Sequence, residues 1–514
     1  MTEQNEQIAL KLEDISKTFG SVKANQDIDI EVKKGTIHGI IGENGAGKST
    51  LMNIIYGFYQ ADTGHIYING KKVKIHNSLE AIDYGIGMVH QHFMLVQPFS
   101  VLENIVLGTE DKFTTKSTLE QARQTLKNLN DNYGLYVDPD ALIEDLPVGA
   151  RQRVEILKAL YRKAQILILD EPTGVLTPQE AEALFEILDA LRNEGVTILL
   201  ITHKLKEIMA ITDNVSVMHH GRMVAHRKTS ETNTAELAEL MVGRKVRLDI
   251  DKSEANPGET LAKVENVSVF DDLGVERLKS VSLEVRRGEI VGIAGVSGNG
   301  QTELIEAIAG MQAIAKGKIT VMGQTITPKK RVSPALMREI GVGHIPEDRL
   351  KHGLVKNFSA EENSILGFSW SKRWNSKLYM SLAKVRENCL NIMEKWDVRP
   401  QNPSLRSADF SGGNQQKLIV GREIEENPEL ILIGQPTRGV DIGAIEFIHK
   451  SIVEQRDKGC GILLVSVELD EVMSVADRIL VMFDGRIVGE VKASEADEKT
   501  LGLMMANAYE KEEA

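Results

Sequence analysis

Two glycine-rich octets in this chain have the residue types and spacing to hold phosphate. The first, GENGAGKS at residues 42 to 49, satisfies G-x-x-x-x-G-K-[ST] in full. Along Gly42, Glu43, Asn44, Gly45, Ala46 and Gly47 the backbone can turn its N–H groups toward phosphate oxygens, and the helix that opens at Lys48, Ser49 and Thr50 adds a positive dipole end. Lys48 can reach the outer phosphates and Ser49 can ligate magnesium. The second octet, GVSGNGQT at 295 to 302, keeps Gly295, Gly298, Gly300 and Thr302 but places Gln301 where the first has lysine. Gln301 can donate hydrogen bonds to phosphate and brings no charge.

Further polar residues follow the first octet. ILILDE is an apolar strand ending in two carboxylates, Asp170 placed to hold magnesium through water and Glu171 placed to polarise an attacking water. Gln91 in GMVHQHF could sense the metal and the water, and His203, ending TILLITH, could hold a γ-phosphate. ATP with Mg²⁺ is the ligand such a set expects.

These residues need a scaffold that presents strand ends. Short apolar runs (IHGIIG, ILILD, TILLIT, then EIVGIAG, LILIG, GILLVS) alternate with helix-like segments such as AEALFEILDALRNEG and AIEFIHKSIVEQRDKG. Runs without polar alternation argue for a parallel sheet covered on both faces, an α/β fold with ligands at the carboxyl ends of the strands. The pattern occurs twice. ILILDEPTGVLT echoes LILIGQPTRGVD and TDNVSVMHHGRMV echoes ADRILVMFDGRIV, each at an offset of 264, whereas the glycine loops are offset by 253, so the second copy is longer between loop and strand. The polar DKSEANPGET separates the copies. The expected organisation is a first domain at 1–246, a linker at 247–260 and a second domain at 261–514.

Composition narrows the function. The 514 residues are 42 % hydrophobic and 26 % charged with a formal net charge of -13, and no long basic run offers a nucleic-acid surface. Cys389 and Cys460 have no partner at metal-ligand spacing, which speaks against zinc and disulfide frameworks. The opening MTEQNEQIALKLEDISKTFG lacks a basic region followed by an apolar block, and no apolar run approaches the ~20 residues that span a bilayer. The expectation is a chain that stays in the cytoplasm and does not cross the membrane by itself.

The order of these motifs resembles an ATP-binding-cassette (ABC) ATPase with two fused cassettes over nearly the whole chain. That resemblance implies tandem P-loop NTPase domains, each a mainly parallel sheet flanked by helices plus a helical subdomain. It matches Phe19 in KTFG to an adenine-stacking aromatic, although core packing of this ring is open too. Family members pair cassettes head-to-tail, pinching each ATP between one loop and the other cassette's signature. FSGGNQQK at 410 to 417 matches that signature, with Ser411, Gly412 and Gly413 to grip a γ-phosphate, whereas LPVGARQR puts Pro147 and Val148 in the equivalent places. The second copy has Gln301 for Lys48, Gly434 for Asp170, Gln435 for Glu171, Glu347 for Gln91 and Val467 for His203. Each copy is altered in the part that serves one composite site and sound in the part that serves the other, so one working site and one remnant are expected.

Within the family this layout is similar to the ATPase subunits of bacterial importers. VGARQRVEILKALYR (148 to 162) and QPTRGVDIGA (435 to 444) look most like the nucleoside branch, with the ribose and galactose branch next. The implied partners are two membrane-spanning permease subunits and, indirectly, an extracytoplasmic substrate-binding protein, which would place the chain on the cytoplasmic face of the cell membrane. Permease helices would enter grooves near HFMLVQPFSVLENI and DRLKHGLVKNFSAEENSI, with Phe93, Met94 and Leu95 either exposed for docking or packed in the core. Ribosome-acting members of the family carry two intact sites and a long basic linker, features this sequence lacks.

Overall fold

The apolar runs form the middle of two six-stranded sheets. The computed structural model describes residues 7–505 except 21, 91–92, 110–115, 175, 246–249, 251, 272, 297, 376–378 and 441. Its chain divides into two compact units, Met1–Val246 and Arg247–Ala514. In the first unit the strand order is Arg222–Lys228, Asn214–His219, Ile37–Gly42, Thr197–Ile201, Ile166–Asp170, Ile86–Val89. All but the first-named strand run parallel. Every residue of Ile37–Gly42, Ile166–Asp170 and Thr197–Ile201 is buried. Burial on both faces is why these strands read as unbroken apolar runs.

Register then places the chemistry. Ile37 lies opposite Ile198, and Asp170 opposite Ile201, so Gly42, Asp170 and the residues after Ile201 leave the sheet at one edge. The carboxylate strand is next but one to the loop strand, with Thr197–Ile201 between them. The second unit repeats this order with Val342–Ile345, Leu430–Gly434, Gly461–Ser466, Ile290–Ala294, Arg478–Phe483 and Arg486–Lys492, read from the opposite edge.

Each unit also carries an antiparallel four-stranded sheet that the sequence reading did not assign. In the first it is Val22–Lys33, Ile8–Phe19, Thr63–Ile68 and Lys71–Val73. Register shifts interrupt the pairing of Ile8–Phe19 with both neighbours, and Asp14 has a left-handed φ of 52°, so the two-residue period is lost. A helical part follows, with Val101–Val106, Lys116–Tyr133 and Val148–Tyr161 packed on one another. Its counterparts in the second unit are Ala360–Asn363, Leu382–Lys395 and Gly412–Glu425.

The polar stretch expected to link the copies is bonded along the second unit. Gly258 N–H donates to the Arg287 carbonyl at 2.8 Å and Arg287 N–H to that of Glu259 at 2.9 Å. The buried Arg456 guanidinium reaches the Ser253 hydroxyl at 3.2 Å and Asp477 at 2.7 Å. Among the described residues no helix is long and apolar enough to cross a membrane.

Candidate functional site

Both glycine loops turn in the same way. Gly47 and Gly300 each have φ of 99° and begin the following helices, Lys48–Ile55 and Gln301–Ile308. A Cβ at Gly47 would lie 2.2 Å from the Ala24 carbonyl oxygen, and one at Gly300 2.5 Å from that of Arg277, so both the angle and the space demand glycine. Lys48 curls back over its loop, its Nζ donating to the carbonyls of Gly42 at 2.7 Å and Glu43 at 3.1 Å. Burial lowers its pKa, opposed by the charges of Glu171, Asp170 and Glu43. Asn44, Gly45 and Ser49 are exposed at the loop's surface, while Ala46 is buried beneath it.

The adjacent carboxyls are driven apart in acidity. Burial, then the neighbouring Glu171, raises Asp170, against a hydrogen bond from Ser49 and the charge of Lys48. Burial alone would raise Glu171 as well, but the hydrogen bond and charge of His203, with Lys48 and Lys204, outweigh it and hold Glu171 below its ordinary value. His203 Nδ1 lies 2.9 Å from Glu171 Oε1. The Glu171 backbone is left-handed, φ 48°, and its N–H donates to Ile201 O at 2.8 Å, which turns the side chain out of the strand's line. A buried carboxyl beside a hydroxyl and an ionised carboxylate held by an imidazole form a divergent pair of the kind that divides metal-holding from base chemistry. Gln91, expected beside them, lies outside the described residues.

The second loop keeps the frame and changes the groups. Gln301 curls as Lys48 does, its Nε2 donating to Val296 O at 3.1 Å. Gln435 has the same left-handed bend as Glu171, φ 47°, and its N–H donates to Val465 O at 2.8 Å. Its Oε1 accepts from the Val467 backbone N–H at 3.3 Å, so an amide-to-backbone bond stands where the first unit has carboxylate and imidazole. Thr302 donates its hydroxyl proton to Glu347.

The two signature segments differ as their sequences require. Ser411 caps the helix Gly412–Glu425, accepting from Asn414 N–H at 3.4 Å and Asn414 Nδ2 at 2.8 Å. Pro147 occupies the same position before Val148–Tyr161 and supplies no side-chain cap. Phe19 is not a core residue: it is 42 % exposed, edge-on to Tyr59 at 5.2 Å, with Lys17 Nζ 5.5 Å from its centroid. Of the three expected docking residues, Met94 is exposed at 60 %, Phe93 is half-buried, and Leu95 is buried at 9 %. Of the two alternatives left open for this segment, Leu95 takes core packing and Met94 takes exposure.

Sequence reasoning missed what fixes those segments. Asn104 and Asn363 are fully buried, and each amide oxygen accepts a backbone N–H eight residues upstream, from Val96 and Val355, both at 2.8 Å. Each Nδ2 returns a bond to the same residue's carbonyl, at 3.1 and 3.0 Å. The signal was legible as the recurrence of S-x-x-E-N in both copies, SVLEN at 100–104 and SAEEN at 359–363.

Residues 25–174 and 278–438 match the family model described as ABC transporter. The chain belongs to the ABC transporter family. It is 47 % identical over 503 residues to the guanosine import ATP-binding protein NupO of Bacillus subtilis, covering 98 % of both chains. It is 44 % identical to the nucleoside import ATP-binding protein NupA of Lactococcus lactis, over 96 % of this chain and 97 % of that one. It is also 44 % identical to the glucose import ATP-binding protein TsgD13 of Haloferax volcanii, over 96 % and 95 %. The chain is thus an ABC transporter ATPase built of two ATP-binding cassettes, and the first carries Lys48, Asp170, Glu171 and His203 where the second has Gln301, Gly434, Gln435 and Val467.

Proposed function

We propose that this chain is the ATP-hydrolysing subunit of a nucleoside importer, docked through two permease subunits on the cytoplasmic face of the membrane and served by an extracytoplasmic binding protein. The observation that carries the reading is the contrast between cassettes: Glu171 bonded to His203 in one, Gln435 bonded to backbone in the other. One cassette has a base for water and the other has none. Domains at 1–246 and 261–514, joined through 247–260, act as the pair.

In the ATP-bound state Lys48 and the N–H groups of residues 42 to 47 hold the phosphates, and Phe19 offers an exposed ring to the adenine. His203 orients Glu171, and Ser411, Gly412 and Gly413 of the second cassette close on the γ-phosphate. The hydroxyl of Ser49 and the carboxyl of Asp170, with Gln91, are hard oxygen donors that suit Mg²⁺. That ion would neutralise charge on the phosphates. Nucleoside as cargo is supported by the guanosine and nucleoside import relatives; the glucose import relative supports a simple-sugar importer as the second reading. Uptake of labelled guanosine, ribose and glucose by cells deleted for this chain separates the two. Restoration of guanosine uptake alone by the wild-type chain is expected; restoration of sugar uptake alone refutes the nucleoside assignment.

A further inference from the structure

The signature of the second cassette is braced by residues that the first cassette does not have. Val89 and Ile345 end corresponding strands, yet Asn104 stands 15 positions after Val89 and Asn363 stands 18 after Ile345. The longer main chain runs close over the neighbouring strand end, where a Cβ on Gly434 would lie 2.9 Å from the Glu347 nitrogen. It then forms a five-residue helical turn, Arg349–Gly353, in which Leu354 N–H donates to Arg349 O at 3.0 Å. Asp348 caps the turn, its Oδ1 accepting from the N–H groups of Leu350 at 2.9 Å and Lys351 at 3.0 Å. Turns of this wide kind are rare and concentrate at functional sites.

Both ends of the turn are fastened to the signature helix Gly412–Glu425. At the far end a Cβ on Gly353 would meet Ile419 Cδ1 at 2.7 Å, and the Gly353 carbonyl accepts from Arg422 Nη1 at 2.9 Å. At the near end the Arg349 guanidinium lies over Gly412, where a Cβ would meet its Nη2 at 2.5 Å and its Cζ at 3.1 Å. Arg349 Nη1 also donates to Arg438 O at 2.9 Å, in the segment after Leu430–Gly434. Glycine at 412 thus makes room for the guanidinium, and one side chain joins the signature to two strand-end segments. The first cassette has neither the glycine nor the extra residues: Val148 stands at the equivalent position.

The charge sits where it gains little without an anion. Arg349 lies at the positive end of the signature helix, and burial and the like charge of Arg438 lower its pKa. The charge that opposes this is Asp348, already engaged by the N–H groups of its own turn. Arg349 Nε is buried without a hydrogen-bond partner.

We propose that Arg349 is a positioning residue for ATP hydrolysis. Its seat on Gly412 and its bond to Arg438 O hold Ser411, Gly412 and Gly413 ready, and its charge adds to the pull of the signature on a γ-phosphate. The inference rests on the reading in which the second cassette's signature closes on the ATP of the first.

The test compares the full-length wild-type chain with Arg349→Met in steady-state ATP hydrolysis and in equilibrium dialysis with ADP, which has no γ-phosphate to grip. Misplacement of the signature should lower kcat about tenfold or more and change ADP affinity by less than about threefold, a split that a general structural defect does not give. Arg349→Lys, which keeps the charge and a donor, should turn over at least about threefold faster than the neutral variant. Arg349→Gln takes the place of the methionine variant should that one not fold. A smaller fall in kcat, an equal loss of ADP affinity, or a lysine variant no faster than the neutral one would each overturn the proposal. Ser411→Arg, measured alongside, tests the composite site itself. If it abolishes turnover and the neutral variant at 349 does not, only the role of Arg349 falls; turnover indifferent to both removes the reading beneath it.

Discussion

Replacing Glu171 by glutamine isolates one charge. The amide is nearly isosteric, retains an oxygen to accept from His203 Nδ1 at the 2.9 Å separation, and tolerates the left-handed bend, since Gln435 already occupies the equivalent bend in the second cassette. Folding and the loop should therefore be undisturbed. Removal of a general base costs about 10²- to 10⁴-fold, which at about 1.36 kcal/mol per factor of ten is about 2.7 to 5.4 kcal/mol of transition-state stabilisation. Lys48 loses the largest of the three charges that oppose the lowering of its pKa but keeps Asp170 and Glu43 and both of its carbonyl acceptors, so the loop should hold its form and ATP should still bind. Phosphate release at saturating ATP gives kcat, and equilibrium dialysis gives nucleotide affinity; the first should collapse and the second should change by less than about threefold, below the tenfold that 1.36 kcal/mol represents. Because Glu171 is held below its ordinary value of 4.5, it is already ionised at neutral pH, and wild-type turnover should show no decline from this group until pH falls below that value. A kcat loss smaller than tenfold, with intact nucleotide binding, would refute the assignment of Glu171 as base.

Ser411→Arg should abolish turnover while sparing nucleotide binding to the first cassette, because the cap that would grip the γ-phosphate is replaced by a bulky side chain; dialysis and phosphate release check both halves. Glu423 is fully buried and accepts from Arg338 Nη1 at 2.7 Å and Arg422 Nε at 3.0 Å, so Glu423→Gln, which strands two guanidiniums, should cost about 3 to 5 kcal/mol by chemical denaturation. Burial opposes its ionisation, but the two arginines and the His344 N–H prevail and its pKa is lowered from 4.5; its contribution should be complete above that value and vanish as pH falls through the lower folded one, which wild-type minus variant stability against pH will show. Leu95→Asp should lower Tm, whereas Met94→Asp should leave Tm within a degree or two, roughly, and weaken capture of the permeases, as expected for a buried and an exposed position.

Much of the fold was legible because its central strands carry no alternation, and the loop, carboxylates and histidine could be read from residue type and order alone. What escaped were features set by backbone geometry. The antiparallel sheet hid behind register shifts along Ile8–Phe19 that spoil its period. The Asn104 and Asn363 clamps act through main-chain bonds, and the repeated S-x-x-E-N that carries them reads from sequence only as a capped helix start. Leu95 and Met94 are neighbours of similar hydrophobicity, and only the turn of the chain decides which one faces solvent. Glu347 looked like a lost glutamine until its contacts with Thr302 and Gly434 gave it a place.

The close approach of Gly434 to Glu347 also limits what the strand end can carry. Any side chain at 434 would bring its first carbon to 2.9 Å from the main-chain nitrogen of residue 347, whichever residue stands there. Restoring an aspartate at the strand end therefore requires the backbone after Val342–Ile345 to move, and a change of residue 347 by itself would not make the room. The difference between the two halves is thus written into the course of the main chain as well as into its side chains.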